Sequence, residues 1–94
     1  MTWRGRVDNR VEISIKGNRS WTRTLEGAPT HGERANFSNS MPNDDVNVSV
    51  KKRDGRGKVR LVESPNRRNN YTARIEVEDE KGGADNYEIE VTWD

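Results

Sequence analysis

No cysteine occurs among the 94 residues, which excludes disulfides, thiolate metal sites and thiol nucleophiles. His31 is the only histidine, so there is no second imidazole for a zinc set and no triad context around it. Apolar residues are scarce, 29% against 35% charged. No apolar run approaches the roughly 18 residues of a membrane span. The first residues, Met1 to Arg6, lack the apolar stretch of a signal peptide. A net charge of +1 also removes the general electrostatic case for a nucleic-acid or polyanion binder, so any such case must be local.

So few apolar residues would suggest disorder if they were scattered, because too little burial cannot offset the entropy of ordering the chain. Instead they alternate with polar ones. Val11, Ile13 and Ile15 alternate with Glu12, Ser14 and Lys16, and Gly17-Asn18 then turns the chain towards Trp21–Leu25, which reads as a hairpin. Gly27-Ala28-Pro29 and His31-Gly32 read as a loop, Arg34–Ser38 as a short strand, and Ser38–Asp45, broken by Pro42, as a connection. Val46, Val48 and Val50 alternate next. Arg53-Asp54-Gly55-Arg56-Gly57 carries the Asp-Gly signal of a hairpin turn returning through Val59 and Leu61. After the polar loop Ser64–Asn70 come the longest strands, Tyr71, Ala73, Ile75 and Val77, then Tyr87, Ile89, Val91 and Trp93, joined through Gly82-Gly83. Trp3, Gly5 and Val7 add a first strand.

Helical periodicity and internal sequence repeats are absent. The pattern predicts a single all-β domain over residues 1–94, an antiparallel two-sheet sandwich of immunoglobulin-like type with about seven or eight strands; a small open barrel is the alternative.

Charge is unevenly spread. Between Lys51 and Arg68 there are eight basic and two acidic residues; between Glu76 and Asp94 there are eight acidic and one basic. Two arrangements are open. If the basic and acidic segments are neighbours, their outward side chains pair across strands, each pair contributing a few tenths of a kcal/mol. If they face apart, Arg53, Arg56, Lys58, Arg67 and Arg68 form a docking surface for an acidic protein or glycan. Like charges at Glu76, Glu78, Glu88 and Glu90 call for cations nearby.

Nucleic acid is not the expected partner, because Tyr71, the aromatic beside Arg67-Arg68, is in phase with Ala73, Ile75 and Val77 and is assigned to the core rather than to base stacking. Trp3, Trp21 and Trp93 could form a platform for a sugar ring, but a thin core needs their volume. The acidic loops at Asn43–Asp45 and around Asp79, Glu80 and Asp85 lack calcium-loop spacing and read as turn and capping residues. The sequons at Asn18, Asn36, Asn47 and Asn70 are treated as incidental.

Three segments, Trp3-Arg4-Gly5-Arg6-Val7-Asp8, Arg67-Arg68-Asn69-Asn70-Tyr71-Thr72-Ala73, and Gly82-Gly83-Ala84-Asp85 with Tyr87 and Trp93, span nearly the whole chain. In these the sequence resembles a group of small bacterial all-β proteins with which no activity is associated. The resemblance implies an exported, periplasmic or extracellular domain and carries over no functional residues.

The expectation is a non-enzymatic binding or structural module, a monomer or weak dimer, with no cofactor and no metal. The alternative is a carbohydrate- or anionic-ligand-binding domain using exposed tryptophans or the Arg-rich loops. In the loop at Arg67–Asn70, amides and guanidinium groups are expected to tie down carbonyls left unpaired at the end of a sandwich.

Overall fold

The computed structural model describes residues 1–17, 23–27, 30–36, 41–80 and 82–94, with side chains described outside 18–40. The strands are β1 (Thr2–Val7), β2 (Arg10–Lys16), β3 (Arg23–Gly27), β4 (Thr30–Asn36), β5 (Val48–Asp54), β6 (Lys58–Glu63), β7 (Thr72–Glu78) and β8 (Asp85–Trp93). They form two antiparallel sheets, β4-β1-β8-β5 and β3-β2-β7-β6. The sandwich expectation holds, and the two separate sheets set aside the barrel. Six strands, three per sheet, supply the packed side chains among the described residues; β3 and β4 are described as backbone at the sheet edges.

Alternation determines what is buried. Trp3 and Val7 from β1, Val11, Ile13 and Ile15 from β2, Ala73, Ile75 and Val77 from β7, and Tyr87, Ile89 and Val91 from β8 point between the sheets and exclude water. Met41, from the connection before β5, completes this core. Val59 and Leu61 face inward but stay half-buried, because β6 is the last strand of its sheet.

Sheet membership departs from expectation at Arg53–Gly57. β5 and β6 are not a hairpin: Asp54–Gly57 carries the chain from one sheet to the other. The acidic strands β7 and β8 are likewise split between the sheets. These arches, and the one between β1 and β2, lie at one end of the sandwich; the β2–β3 and β6–β7 hairpins turn at the other. β4 and β5, consecutive in the chain, are the opposite edge strands of a single sheet. His31 and Gly32 fall within β4, opposite an irregular step between Arg4 and Arg6 of β1, and not in a loop. Trp21 and Phe37 lie outside the described residues.

No sequence repeat accompanies it, yet the pairing repeats. In the first four strands β1 pairs β4 and β2 pairs β3; in the last four β5 pairs β8 and β6 pairs β7. The halves meet where β1 joins β8 and β2 joins β7. Among the described residues no helix is long and apolar enough to cross a membrane.

Candidate functional site

The basic strands lie beside the acidic ones, which decides between the two charge readings over most of the surface. In one sheet the acidic β8 is flanked by β1 and β5: Arg4 pairs with Glu88, and Arg53 Nη2 donates to Glu90 Oε2 at 3.0 Å. In the other, Glu76 of β7 receives Arg10 from β2 at 3.3 Å and Arg60 from β6 at 3.2 Å. Arg74 crosses three strands, bonding Glu12 on β2 and Glu63 on β6, its Nη1 lying 2.6 Å from Glu63 Oε2. The hydrogen bond to Glu63, then that to Glu12, raises the Arg74 pKa. Lys58 stands opposite Glu78 in the β6–β7 register.

Arg56 is not a surface cation awaiting a ligand. Its Nε and Nη2 lie 3.3 and 3.2 Å from the two carboxylate oxygens of Asp79, whose side chain is wholly buried. Tyr87 Oη donates to Asp79 Oδ1 at 2.6 Å and accepts from Gly57 N–H at 2.8 Å. Arg56 also bonds the Gly83 carbonyl, and its backbone N–H reaches Asp85 Oδ2 at 3.0 Å. The Asp79 N–H donates to the Asn9 carbonyl at 2.7 Å. Asp79 thus links three arches, β5–β6 to β7–β8 through its buried carboxylate and β1–β2 through its backbone N–H.

Glycine is required at Gly57, where a Cβ would collide with the Glu78 carbonyl and the Tyr87 hydroxyl. Lys52 Nζ closes the same arch by donating to the Gly57 carbonyl at 2.6 Å.

Burial alone would raise the Asp79 pKa, but hydrogen bonds from Tyr87 and Arg56 outweigh it and hold the carboxyl below its ordinary value. Burial and then the Asp79 hydrogen bond push the Tyr87 phenol well above the usual tyrosine range. Because the folded-state pKa of Asp79 is depressed, its contribution to stability is present above the unfolded value of about 3.9 and lost as pH falls through the folded one. Because that of Tyr87 is raised, its contribution is present below the unfolded value of about 10 and declines above it, as only the unfolded phenol ionises. Urea midpoints measured against pH should therefore fall at both extremes. In Tyr87→Phe the alkaline decline should shrink, and an unchanged decline would remove Tyr87 as its source.

Arg67 and Arg68 are different. They lie on a single 3-10 turn, Arg67–Asn69, at the hairpin end. Asn66 caps this turn, its Oδ1 accepting from Arg68 N–H at 2.8 Å and Asn69 N–H at 3.1 Å. Asn69 Oδ1 accepts from the Asn66 and Thr72 N–H groups, and its Nδ2 donates to the Ser64 and Thr72 carbonyls at 2.9 Å each. The chain leaves through consecutive left-handed residues, Asn70 at φ 59° and Tyr71 at φ 56°. Left-handed backbone is unfavourable for tyrosine and persists where surrounding bonds impose it. Here the Tyr71 N–H bonds the Asn66 carbonyl at 2.8 Å and its carbonyl accepts from Gly17 N–H at 2.9 Å.

The asparagine amides, and not the guanidinium groups, tie down this loop. Both arginines are exposed and form no ion pair among the described residues. Tyr71, assigned to the core by its phase, is half-buried ahead of β7.

The sequence therefore grouped five cations that the structure separates. Arg53 and Arg56 are paired, Lys58 faces Glu78, and Arg67 and Arg68 are both exposed on the braced loop. Trp3 is buried and Trp93 half-buried. The Asp79 oxygens are occupied by Tyr87 and Arg56, and Asp44 Oδ1 accepts from the Asp45 N–H at 2.8 Å in a turn. No cluster of three or more metal-ligating side chains occurs among the described residues. Alternation could have identified Asp79: it continues the Ala73, Ile75, Val77 phase onto the inward face. No family profile matches the chain, and comparison with curated proteins and with solved structures returns no match.

Proposed function

We propose that the chain is a non-enzymatic binding module that docks an acidic partner through Arg67 and Arg68. The supporting observation is their contrast with the other cations: neighbouring acidic side chains offset most of the basic strands, whereas a capped turn holds this pair in solvent. The backbone carrying the pair is already ordered by its cap, so binding need order only the two side chains, and guanidinium groups can bond carboxylates in bidentate fashion. The export context implied by the sequence resemblance fits an adhesive or assembly role for a monomer or weak dimer.

The immunoglobulin-like description extends only to the two-sheet architecture. Here β1 and β2 lie in different sheets, whereas an immunoglobulin domain pairs its first two strands in one. A sugar platform is disfavoured by the burial of Trp3.

Retention on immobilised polyglutamate tests the reading. Wild-type protein should elute at higher salt than Arg67→Glu/Arg68→Glu, with the two unfolding at the same temperature. Equal elution would overturn the role of the pair.

A further inference from the structure

We infer that the open edge of β6 receives an acidic, extended peptide segment as an added strand, with Arg67 and Arg68 holding its acidic end. This rests on the acidic-partner reading and specifies how the partner binds.

Three observations converge on that edge. First, β6 ends the order β3-β2-β7-β6, so among the described residues no strand lies beyond it. Its inward residues Val59 and Leu61 are only half-buried, although the corresponding Val77 and Ile75 on β7 are fully buried. Val62, next in the chain, is the one exposed large hydrophobic side chain among the described residues. Unfilled apolar surface along a strand edge is covered by a strand with apolar residues at alternate positions.

Second, the charges set the other face of that strand. Across this sheet Glu76 of the central β7 receives Arg10 from β2 on one side and Arg60 from β6 on the other. Lys58 and Arg60 remain exposed, with carboxylates available only from the β7 side. A strand beyond β6 that continued this alternation would carry carboxylates opposite them. The segment that fits alternates Glu or Asp with Val or Ile, like Ile75-Glu76-Val77-Glu78 in β7 itself.

Third, the edge runs through Glu63 and Pro65 into the turn bearing Arg67 and Arg68, so two exposed guanidinium groups with no ion pair among the described residues lie beyond its C-terminal end. Edge cations and the irregular step between Leu61 and Glu63 are devices that discourage pairing between like edges. They repel a second β6 and attract an acidic strand, which makes the edge selective.

The test uses the full chain and a blocked peptide alternating valine and glutamate, about seven residues long to match β7. A second peptide carries N-methyl groups on alternate backbone nitrogens, preserving its charge while blocking one hydrogen-bonding edge. The unmodified peptide should shift the amide resonances of Lys58–Glu63. The methylated one should bind at least about tenfold more weakly, and Val62→Glu should weaken the first by a similar factor.

Equal binding of both peptides would overturn strand addition while leaving charge-driven docking intact. Binding by neither would overturn it too; polyglutamate retention then decides separately whether the acidic-partner reading also fails. Concentration-dependent dimerisation through β6 that the peptide cannot compete would show a second copy on the edge and overturn the proposal.

Discussion

Asp79→Ala is expected to cost about 3 kcal/mol of folding stability, far more than removing any other carboxylate in the acidic C-terminal segment. The side chain is buried and accepts from both Tyr87 Oη and the Arg56 guanidinium. Its loss leaves a buried hydroxyl without its acceptor and removes the pin between the β5–β6 and β7–β8 arches, while the backbone bond to Asn9 remains. Tyr87→Phe should cost about 1–3 kcal/mol, because it leaves the buried Gly57 N–H without its acceptor and the Asp79 carboxylate with Arg56 alone. The double variant should be less destabilised than the sum of the two, since they break one network. Asp85→Ala supplies the control: its carboxylate accepts one exposed backbone bond, from Arg56 N–H, and the change should fall within about 1 kcal/mol. Urea denaturation would measure all four. An Asp79→Ala cost no larger than the Asp85→Ala cost would show that the arches hold without this carboxylate.

Strands were more legible in the sequence than the sheets they join. Period-two alternation identifies β2 through Val11, Ile13 and Ile15 because a strand's face depends only on its own residues. It also places β1 and β8 correctly, with Trp3 and Tyr87 inward. The course of the chain beyond a turn is set less locally. Asp54-Gly55 marks a sharp reversal, but whether the chain returns beside the same sheet or crosses to the other depends on what fills the space beneath it. Here that is Tyr87, some thirty residues away, with its hydroxyl on Gly57. A hairpin signal and an arch signal are therefore alike in local sequence.

The candidate site was half legible for the same reason. Charge counting gathers Arg53, Arg56, Lys58, Arg67 and Arg68 because they are close in sequence, while Glu90, Asp79 and Glu78, which face the first three, come later in the chain. The repulsion expected among Glu76, Glu78, Glu88 and Glu90 was the useful clue, since acidic central strands require basic neighbours. Tyr71 shows the limit of phase. Its spacing from Ala73 is that of a core residue, but its positive φ turns the backbone before β7 begins, so extrapolating the alternation fails. The amide network of Asn66 and Asn69 fixes that geometry, and composition reads such residues only as a polar loop.

Trp3→Leu should cost about 3 kcal/mol, and Gly5→Ala about 2 kcal/mol, by opposite means and at one place. Both residues face inward from β1, which runs between β4 and β8 near the middle of its sheet. The Trp3 ring lies across Gly5 so closely that a Cβ there would meet Cη2 at 2.6 Å and Cζ2 at 2.7 Å. Gly5 is not at positive φ, so alanine meets no backbone penalty and the cost is purely one of overpacking. Removing the indole leaves a void beside Tyr87 and Ile89, the residues opposite Gly5 and Trp3 on β8. The Trp3 Nε1–H has no partner among the described residues, so the loss is of volume and not of a hydrogen bond. In the Trp3→Leu background, Gly5→Ala no longer meets the ring and instead fills part of the void. The added methyl should then be neutral or stabilising, giving a coupling of about 2 kcal/mol in a double-mutant cycle read by denaturant titration and far-ultraviolet circular dichroism. Additive costs would mean that the ring is not what requires glycine at this position, and that the tight fit between Trp3 and β1 does not determine how the first strand packs.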